Sequence, residues 1–523
     1  METMFGEFRL GTARLVNRFV FPPMKLAYGN PNGMVTERQL QFYGQIAREG
    51  PAIVILEPVS VTVEGKEHPK QLCVHLPESA KELKKIVHVI QQQGRLACLH
   101  LNHAGAAANP KATGAKPKAP SVITCPASGQ ESEPLSEAEI KTIIASYQSA
   151  ARKAVEAGFD LIEIQAGHGY LLSQFLNGKI NKRSDRYGKN RLLFAREVIS
   201  SVREGAPNVP CIVRISGHEM SPEFGITQED LLPFLKLADE TGISALHVGM
   251  GNACFSPPWY FHHGSLPEKP QTDALSWLRG QTSLPLIVAG RMGRRGRVEE
   301  IFEKGLADLV AVGRPLIADT ELIGKWKNGK DEEIMDCGYC LQGCLHRLRS
   351  GEPLGCNLNP EVGLPPLALT PQPMTVLVAG GGPAGMSAAL YMTKRGHRVT
   401  LVEKLGDLGG QFALAWRATG KKSMKEGLES LVRAVKEKVA SVVLNRAVDA
   451  ALVKELAPDL LIWATGPLQN IPDIPGLSDQ HTITALEFFT AEKEVRGPRV
   501  LLIGAGRTGI EIVEKLGEGE YEV

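Results

Sequence analysis

The chain has little that would tie it to a charged polymer or to a membrane. Its 523 residues carry 59 Lys+Arg against 57 Asp+Glu, so no excess of one sign marks nucleic acid or an acidic lipid surface as a partner. No apolar run is long enough to span a bilayer, and Met1–Leu10 lacks the pattern of a signal peptide. A soluble cytoplasmic protein is the expectation. Low-complexity segments and short-period repeats are also missing, which sets fibrous and solenoid folds aside. Cysteine is sparse: of 9, Cys73, Cys98, Cys125, Cys211 and Cys254 are scattered and read as inert core thiols. Cys337, Cys340, Cys344 and Cys356 are bunched and need another explanation.

What is present is rhythm. A chain this long exceeds one hydrophobic core and predicts two or three domains. Short apolar runs alternate with longer amphipathic stretches, and the runs place strands at Phe19–Met24, Ala52–Glu57, Leu96–Leu101, Leu161–Ala166, Cys211–Ser216, Ala245–Gly249, Pro285–Gly290 and Leu309–Gly313. Helical stretches such as Ser136–Ala157 and Gln228–Thr241 separate them. Eight βα repeats over this length fit an α/β fold of the (β/α)8 barrel type better than a doubly wound sheet. A Pro-rich connector, Pro365 to Pro373, then precedes a restarted strand–turn–helix–strand pattern.

Barrel enzymes work at the carboxyl ends of their strands. Here those ends carry Pro23-Met24-Lys25, Glu57-Pro58, His100, Gln165 with His168 and Tyr170, Arg214, Gly290-Arg291 and Gly313-Arg314. The last two pairs end strands seven and eight, where glycine lets the backbone approach a phosphate and arginine forks onto its oxygens. Arg214 at the end of strand five could stabilise an anionic reduced flavin ring, or simply pair with a neighbouring carboxylate.

These residues carry a resemblance. Asn17-Arg18-Phe19-Val20, Gly33-Met34-Val35-Thr36-Glu37-Arg38, His103-Ala104-Gly105, His168-Gly169-Tyr170-Leu171, Asn181 to Gly188, Ala289-Gly290-Arg291 and Val312-Gly313-Arg314 resemble the old yellow enzyme family, in order along the whole barrel. The resemblance implies FMN across the barrel top, with its phosphate on Gly290, Arg291, Gly313 and Arg314. It places Arg214 near the N1/O2 edge of the ring, with Pro23, Met24, Lys25, Pro58 and His100 also at the flavin. Tyr170 matches the family's proton-donating tyrosine, with His168 helping to anchor substrate or flavin. The departures are Gln165 for a usual histidine, His100 where glutamine is common, and Ala106 for the arginine after His-Ala-Gly. Lys25 stands where trimethylamine dehydrogenases carry the cysteine that binds FMN covalently, so the flavin here should be non-covalent.

Cys337-x2-Cys340-x3-Cys344-x11-Cys356 gives three thiolates in one short turn and a fourth from a loop. Spacing alone fits zinc or a 4Fe–4S cluster. Cys-Gly-Tyr-Cys-Leu-Gln-Gly-Cys, followed by Gly-Cys-Asn-Leu-Asn-Pro, resembles the cluster segment of 2,4-dienoyl-CoA reductases and trimethylamine dehydrogenases, which implies 4Fe–4S.

Strand Thr375–Ala379, the turn Gly380-x-Gly382-x-x-Gly385, a helix to Arg395 and strand Arg398–Val402 ending at Glu403 form a dinucleotide-binding pattern. Gly409-Gly410-Gln411 and Ala464-Thr465-Gly466 resemble the FAD-binding half of the same reductases, so Gly410, Gln411 and Gly466 join the site. A second turn, Gly504-x-Gly506-x-x-Gly509, follows a strand expected at Val500–Ile503 and opens what in relatives is the NADPH or NADH domain. The expected division is therefore a barrel over 1–330, a cluster segment over 331–372, an FAD domain over 373–496 and the start of a truncated nicotinamide domain over 497–523. The natural protein either continues or has lost its nicotinamide site.

The resulting expectation is an NAD(P)H-dependent reductase of an activated C=C bond in a small enoate, enone or enoyl-CoA. Electrons would pass from NAD(P)H through FAD and the cluster to FMN, then as hydride to the substrate β-carbon. Rival readings are an amine dehydrogenase or N-demethylase, with Trp259-Tyr260-Phe261 as an aromatic bowl, and an electron-transfer subunit without its own substrate. An electron-donor protein and a homo-oligomer are both compatible with the sequence.

Overall fold

The computed structural model describes residues 2–48, 50–475, 477, 482–519 and 521–523. The chain divides into two compact units, Met1–Asp331 with Leu341–Pro365, and Glu332–Cys340 with Pro366–Val523.

The first unit is a closed barrel of eight parallel strands: β1 (Phe19–Phe21), β2 (Ile53–Ile55), β3 (Leu96–Asn102), β4 (Leu161–Gln165), β5 (Cys211–Ser216), β6 (Ala245–Gly249), β7 (Leu286–Ala289) and β8 (Leu309–Ala311). Closure is made by β8 pairing with β1 through Val310 and Phe19, and by β3 pairing with β4 through Cys98 and Leu161. Strands buried on both faces read as continuous apolar runs, which is why their places follow from the sequence. Several are one to three residues shorter than expected, many of the losses falling on proline and glycine positions such as Pro22, Pro23, Pro285, Gly290 and Gly313, which support ladder pairing poorly.

Two features were not expected. A hairpin, Phe8–Leu10 with Ala13–Leu15, inserts Leu10 and Leu15 among Val20, Ile53, Leu161, Ile212, Ala245, Ile287 and Leu309 and so closes the end of the barrel away from the strand carboxyl termini. Cys125 and Cys254, expected as independent core thiols, are joined as a disulfide across 129 residues, tying the excursion after β3 to the loop after β6.

The second unit is a four-stranded parallel sheet: β9 (Thr375–Ala379), β10 (Arg398–Val402), β11 (Ser441–Val443) and β12 (Leu460–Trp463), in spatial order β11-β10-β9-β12. Helix α1 (Pro383–Lys394) crosses from β9 to β10 in the way parallel pairing requires. The strand expected at Val500–Ile503 does not form. Its flank makes a single bridge, Arg499 to Glu522, and Leu501 is 87% exposed, so the run has no sheet to join among the described residues. Helix α2 (Arg507–Leu516) after it is present. No described helix is long and apolar enough to cross a membrane.

Candidate active site at the barrel top

The strand-end residues converge. Tyr170, 1% exposed, follows β4. Its hydroxyl donates to Glu67 Oε2 at 2.6 Å and lies 2.8 Å from the Tyr260 hydroxyl. Lys25, beyond β1, donates to the Tyr170 oxygen at 3.4 Å and forms an ion pair with Glu67. Burial raises the Tyr170 hydroxyl well above its ordinary range, and the adjacent Glu67 adds to it. Glu67 and Tyr260 were not singled out by sequence as partners of Tyr170. A lone acid in the polar loop after β2 looks like a solvated charge, and only the fold brings it under Tyr170.

The His168 ring packs edge-on against Tyr260, centroids 5.0 Å apart, while its nitrogens find other partners. Its Nε2 accepts from Arg214 Nε at 3.2 Å, and its Nδ1 lies 3.2 Å from the Gly251 carbonyl. With Nε2 as acceptor the ring is neutral, as burial and the Arg214 charge both require. His168 is thus bound to Arg214 rather than hydrogen-bonded to Tyr170. Behind Arg214 lies a fully buried triad in which Glu163 bridges His100 Nδ1 and His247 Nδ1, each at 2.6 Å. Burial pushes His247 down to about 4, whereas the two imidazoles overcome burial and hold the Glu163 carboxyl well below the usual range. Glu163 thus supplies the buried counter-charge that a lone Arg214 would lack. His100 Nε2 is buried with no hydrogen-bond partner among the described residues, a position suited to a polar atom of a flavin ring.

Beyond β7 and β8 the backbone is shaped for close approach. Gly290 (φ +117°) and Arg291 (φ +57°) lie in the left-handed region, and a Cβ on Gly290 would meet the His262 ring at 2.2 Å. A Cβ on Gly313 would come within 2.9 Å of Met24 Sδ. His262 is pushed down to about 3 by burial and by Arg314, Arg214 and Arg291. Arg314 donates to the His262 carbonyl at 2.9 Å, and Arg291 has Glu268 at 3.7 Å. This convergence of guanidiniums is the donor set a phosphate dianion needs, so the residues present fit FMN. Pro23 and Lys25 are half-buried and Pro58 is buried along the same rim. Replacing Arg291 or Arg314 by Ala is expected to weaken FMN retention more than FAD retention, as checked by flavin content after gel filtration.

The aromatic trio Trp259-Tyr260-Phe261 does not act as one bowl. Arg349 sits 5.1 Å over the Phe261 ring, while Tyr260 is engaged by Tyr170 and faces Lys25 at 6.0 Å. A methylated ammonium would have to displace cations already held there.

In the barrel unit Cys344 lies on a π-helical turn, Gln342–His346, and Cys356 on the loop that returns to it. Gly355 N donates to Gly343 O at 2.9 Å, and a Cβ on Gly343 would stand 2.7 Å from Cys356 Cα, so only glycine lets these backbones approach. The same loop is docked beside Lys25: Leu354 N donates to Leu26 O, and the Tyr28 hydroxyl donates to Leu354 O, both at 2.8 Å. In the other unit Cys337 and Cys340 flank Gly338 and Tyr339, and the Gly338 carbonyl accepts from Ser423. Among the described residues no group of three or more His, Cys, Asp or Glu converges at metal-binding geometry, so a cluster rests on cysteine spacing and on the close approach of the Gly343 and Cys356 backbones.

In the second unit Gly380 (φ +108°) packs on Ala464, where a Cβ would meet the carbonyl at 2.4 Å, and a Cβ on Gly385 would meet Gly380 O at 1.8 Å. Gly382 by contrast has open space before it, as a pyrophosphate cradle requires. Glu403 Oε2 accepts from Gly381 N at 2.6 Å, placing the acid at the turn. Gly410 closes on Gly382, next to Gln411, whereas Gly466 (φ +75°) is exposed. The second turn repeats the geometry: a Cβ on Gly509 would meet Gly504 O at 2.0 Å.

Comparison with known proteins agrees with both units. Residues 3–333 match the model of the NADH:flavin oxidoreductase / NADH oxidase family. Residues 374–523 match that of the pyridine nucleotide-disulphide oxidoreductases. An NADH oxidase of Thermoanaerobacter brockii is 32% identical, the alignment covering 98% of this chain and 81% of that protein. A cinnamate reductase of Clostridium sporogenes is 29% identical over 98% of this chain and 80% of its own. A solved 2-naphthoyl-CoA reductase complex superposes with a TM-score of 0.93 at 24% identity, covering 100% of this chain and 82% of that one, which establishes the shared fold.

Proposed function

The chain belongs to the NADH:flavin oxidoreductase / NADH oxidase family, the old yellow enzyme-like flavoproteins, and on that premise we propose that it reduces the activated C=C bond of an enoate, enone or enoyl-CoA. It is an NAD(P)H-dependent, ene-reductase-like flavoprotein that uses FMN in the barrel and FAD with NADH or NADPH in the second unit. The observation that carries the substrate class is Tyr170: a buried phenol at the end of β4, hydrogen-bonded on all sides, at the strand end that faces the flavin position. When bound, FMN would supply hydride chemistry in the barrel, and FAD and a 4Fe–4S cluster would supply electron-transfer capacity.

The chain's own residues do the rest. Arg214, backed by His168, His247 and Glu163, holds positive charge at the ring edge. Gly290, Arg291, Gly313 and Arg314 hold the phosphate, with Pro23, Met24, Lys25, Pro58 and His100 along the ring. Tyr170 gives the proton to the substrate α-carbon. Cys337, Cys340, Cys344 and Cys356 are assigned to the cluster, and Gly380, Gly382, Gly385, Glu403, Gly410, Gln411 and Gly466 to FAD. We keep 1–330, 331–372, 373–496 and 497–523 as the functional division. A cytoplasmic location suits cluster thiolates, and the Cys125–Cys254 disulfide is there an exception of a kind that is rare.

The amine dehydrogenase reading is less well supported, since the cations at Tyr260 and Phe261 leave no shared aromatic face. Anaerobic turnover tests the proposal: reduced protein mixed with an enoate should yield one saturated product for each two electrons supplied. FMN is expected to be non-covalent, because Lys25 occupies the attachment position. Acid precipitation should release all of it, and flavin left on the protein would contradict this.

A further inference from the structure

The Tyr170 phenol is one member of a cluster in which Glu67 and Tyr260 have no assigned task and Lys25 has none beyond its place along the flavin ring. Lys25, Glu67, Tyr170 and Tyr260 come from the loops after β1, β2, β4 and β6. Glu67 Oε2 accepts from Tyr170 at 2.6 Å and pairs with Lys25, while Glu67 Oε1 accepts from Asn102 Nδ2, at the end of β3, at 2.6 Å. The Glu67 side chain is 3% exposed and that of Lys25 is 28% exposed, so Lys25 is the charged member that reaches water. A phenol at 1% exposure that gives up its proton in each turnover must recover it through a neighbour.

Taking Tyr170 as the acid, which rests on the function proposed above, we infer that Lys25 returns the proton to Tyr170 from solvent and that Glu67 is the positioning residue holding both. The Tyr170 O–H bond breaks as the substrate α-C–H bond forms, leaving negative charge on the phenol oxygen. A Lys25 N–H bond then breaks as the Tyr170 O–H bond re-forms. The neutral amine takes a proton from water at its exposed side. No electron moves in these steps, and Glu67 stays a carboxylate throughout.

The surroundings favour this order. Burial works against the Lys25 charge, but Glu67 and Tyr260 more than offset it and hold the ammonium above its ordinary range; Arg349 opposes them. Burial also works against the Glu67 charge, and Lys25, Tyr170 and His68 together hold its carboxyl below its ordinary range. Glu67 thus has no proton to give, whereas Lys25 has one and is replenished. Tyr260, 2.8 Å from the Tyr170 hydroxyl, could only pass the deficit along.

The test is single-turnover reoxidation of the dithionite-reduced, full-chain holoenzyme by cinnamate, from about pH 6 to about pH 11, a range that reaches past the ordinary lysine and tyrosine midpoints. Lys25→Arg keeps the charge and the partner of Glu67, but a guanidinium does not release its proton. It should slow reoxidation by about 10²-fold, the scale of a lost proton transfer. Lys25→Ala should be equally slow and regain about tenfold when ethylammonium is added, since the added amine replaces the relay. Glu67→Gln removes the carboxylate that raises Lys25 and should bring into this range an alkaline fall in rate that the wild type, its ammonium held above the ordinary lysine range, does not show there. A Lys25→Arg rate within about twofold of wild type, or no amine rescue, while Tyr170→Phe remains slow, would overturn the relay and leave Tyr170 as the acid. If Tyr170→Phe is also fast, the acid assignment itself fails, and the relay with it.

Discussion

Reoxidation of the reduced protein by an enoate slows by about 10²-fold or more when Tyr170 is replaced by Phe, the usual scale for loss of a general acid, while reduction of the flavin keeps its rate. The expectation follows from where the phenol stands. It is buried against Glu67, Lys25 and Tyr260, and loss of its oxygen removes a proton without removing the ring that packs there. A packing role would give the opposite pattern, since the Phe ring fills nearly the same space. An unchanged oxidative half-reaction would dismiss Tyr170 and move the search to His262 and His263. His262 is a poor substitute: it is buried among Arg314, Arg214 and Arg291, which with burial push it down to about 3, and the neutral imidazole is a very weak acid at neutral pH.

The second large effect is the loss of NAD(P)H-driven turnover when Cys356 is replaced by Ser, with dithionite-driven reduction of substrate retained. Protein purified anaerobically should contain about four irons with acid-labile sulfide, the stoichiometry of a 4Fe–4S cluster. In the variant that iron should be lost together with the nicotinamide-driven activity. Cys356 is the informative position because its loop is anchored by Leu354 to Leu26, next to Lys25, which ties the segment that carries it to the barrel unit. Stoichiometric zinc without sulfide would contradict the assignment, as would full NAD(P)H activity in Cys356→Ser.

The barrel was legible because parallel strands buried on both faces leave apolar runs, as in Leu161–Gln165 and Cys211–Ser216, with their chemistry at one end. The glycines of the second unit were legible for a related reason: Gly380 and Gly385 approach each other so closely that no other residue fits, and this leaves a fixed spacing in the sequence. Phe8–Leu10 and Ala13–Leu15 bury only Leu10 and Leu15 fully and carry an exposed arginine each, so they leave no such run and went unseen. Val500–Ile503 has a strand's composition but no neighbour to pair with, and composition carries no information about partners. The partnership of Glu67 with Tyr170 joins residues 103 apart, and the Glu163–His247 pair joins residues 84 apart. Contacts of that kind are created by barrel closure and leave no trace in local pattern. Cys125 and Cys254 were missed for the same reason.

The most direct measurement is a two-way anaerobic stopped-flow experiment that follows the flavin absorbance. Reduced protein is mixed with a panel of enoates, enones and enoyl-CoA esters, and oxidised protein with a panel of methylated amines. The account predicts rapid return of the oxidised flavin band with at least one member of the first panel, and no bleaching with the second. Bleaching by an amine, with the reduced flavin inert towards every activated C=C bond, would contradict it.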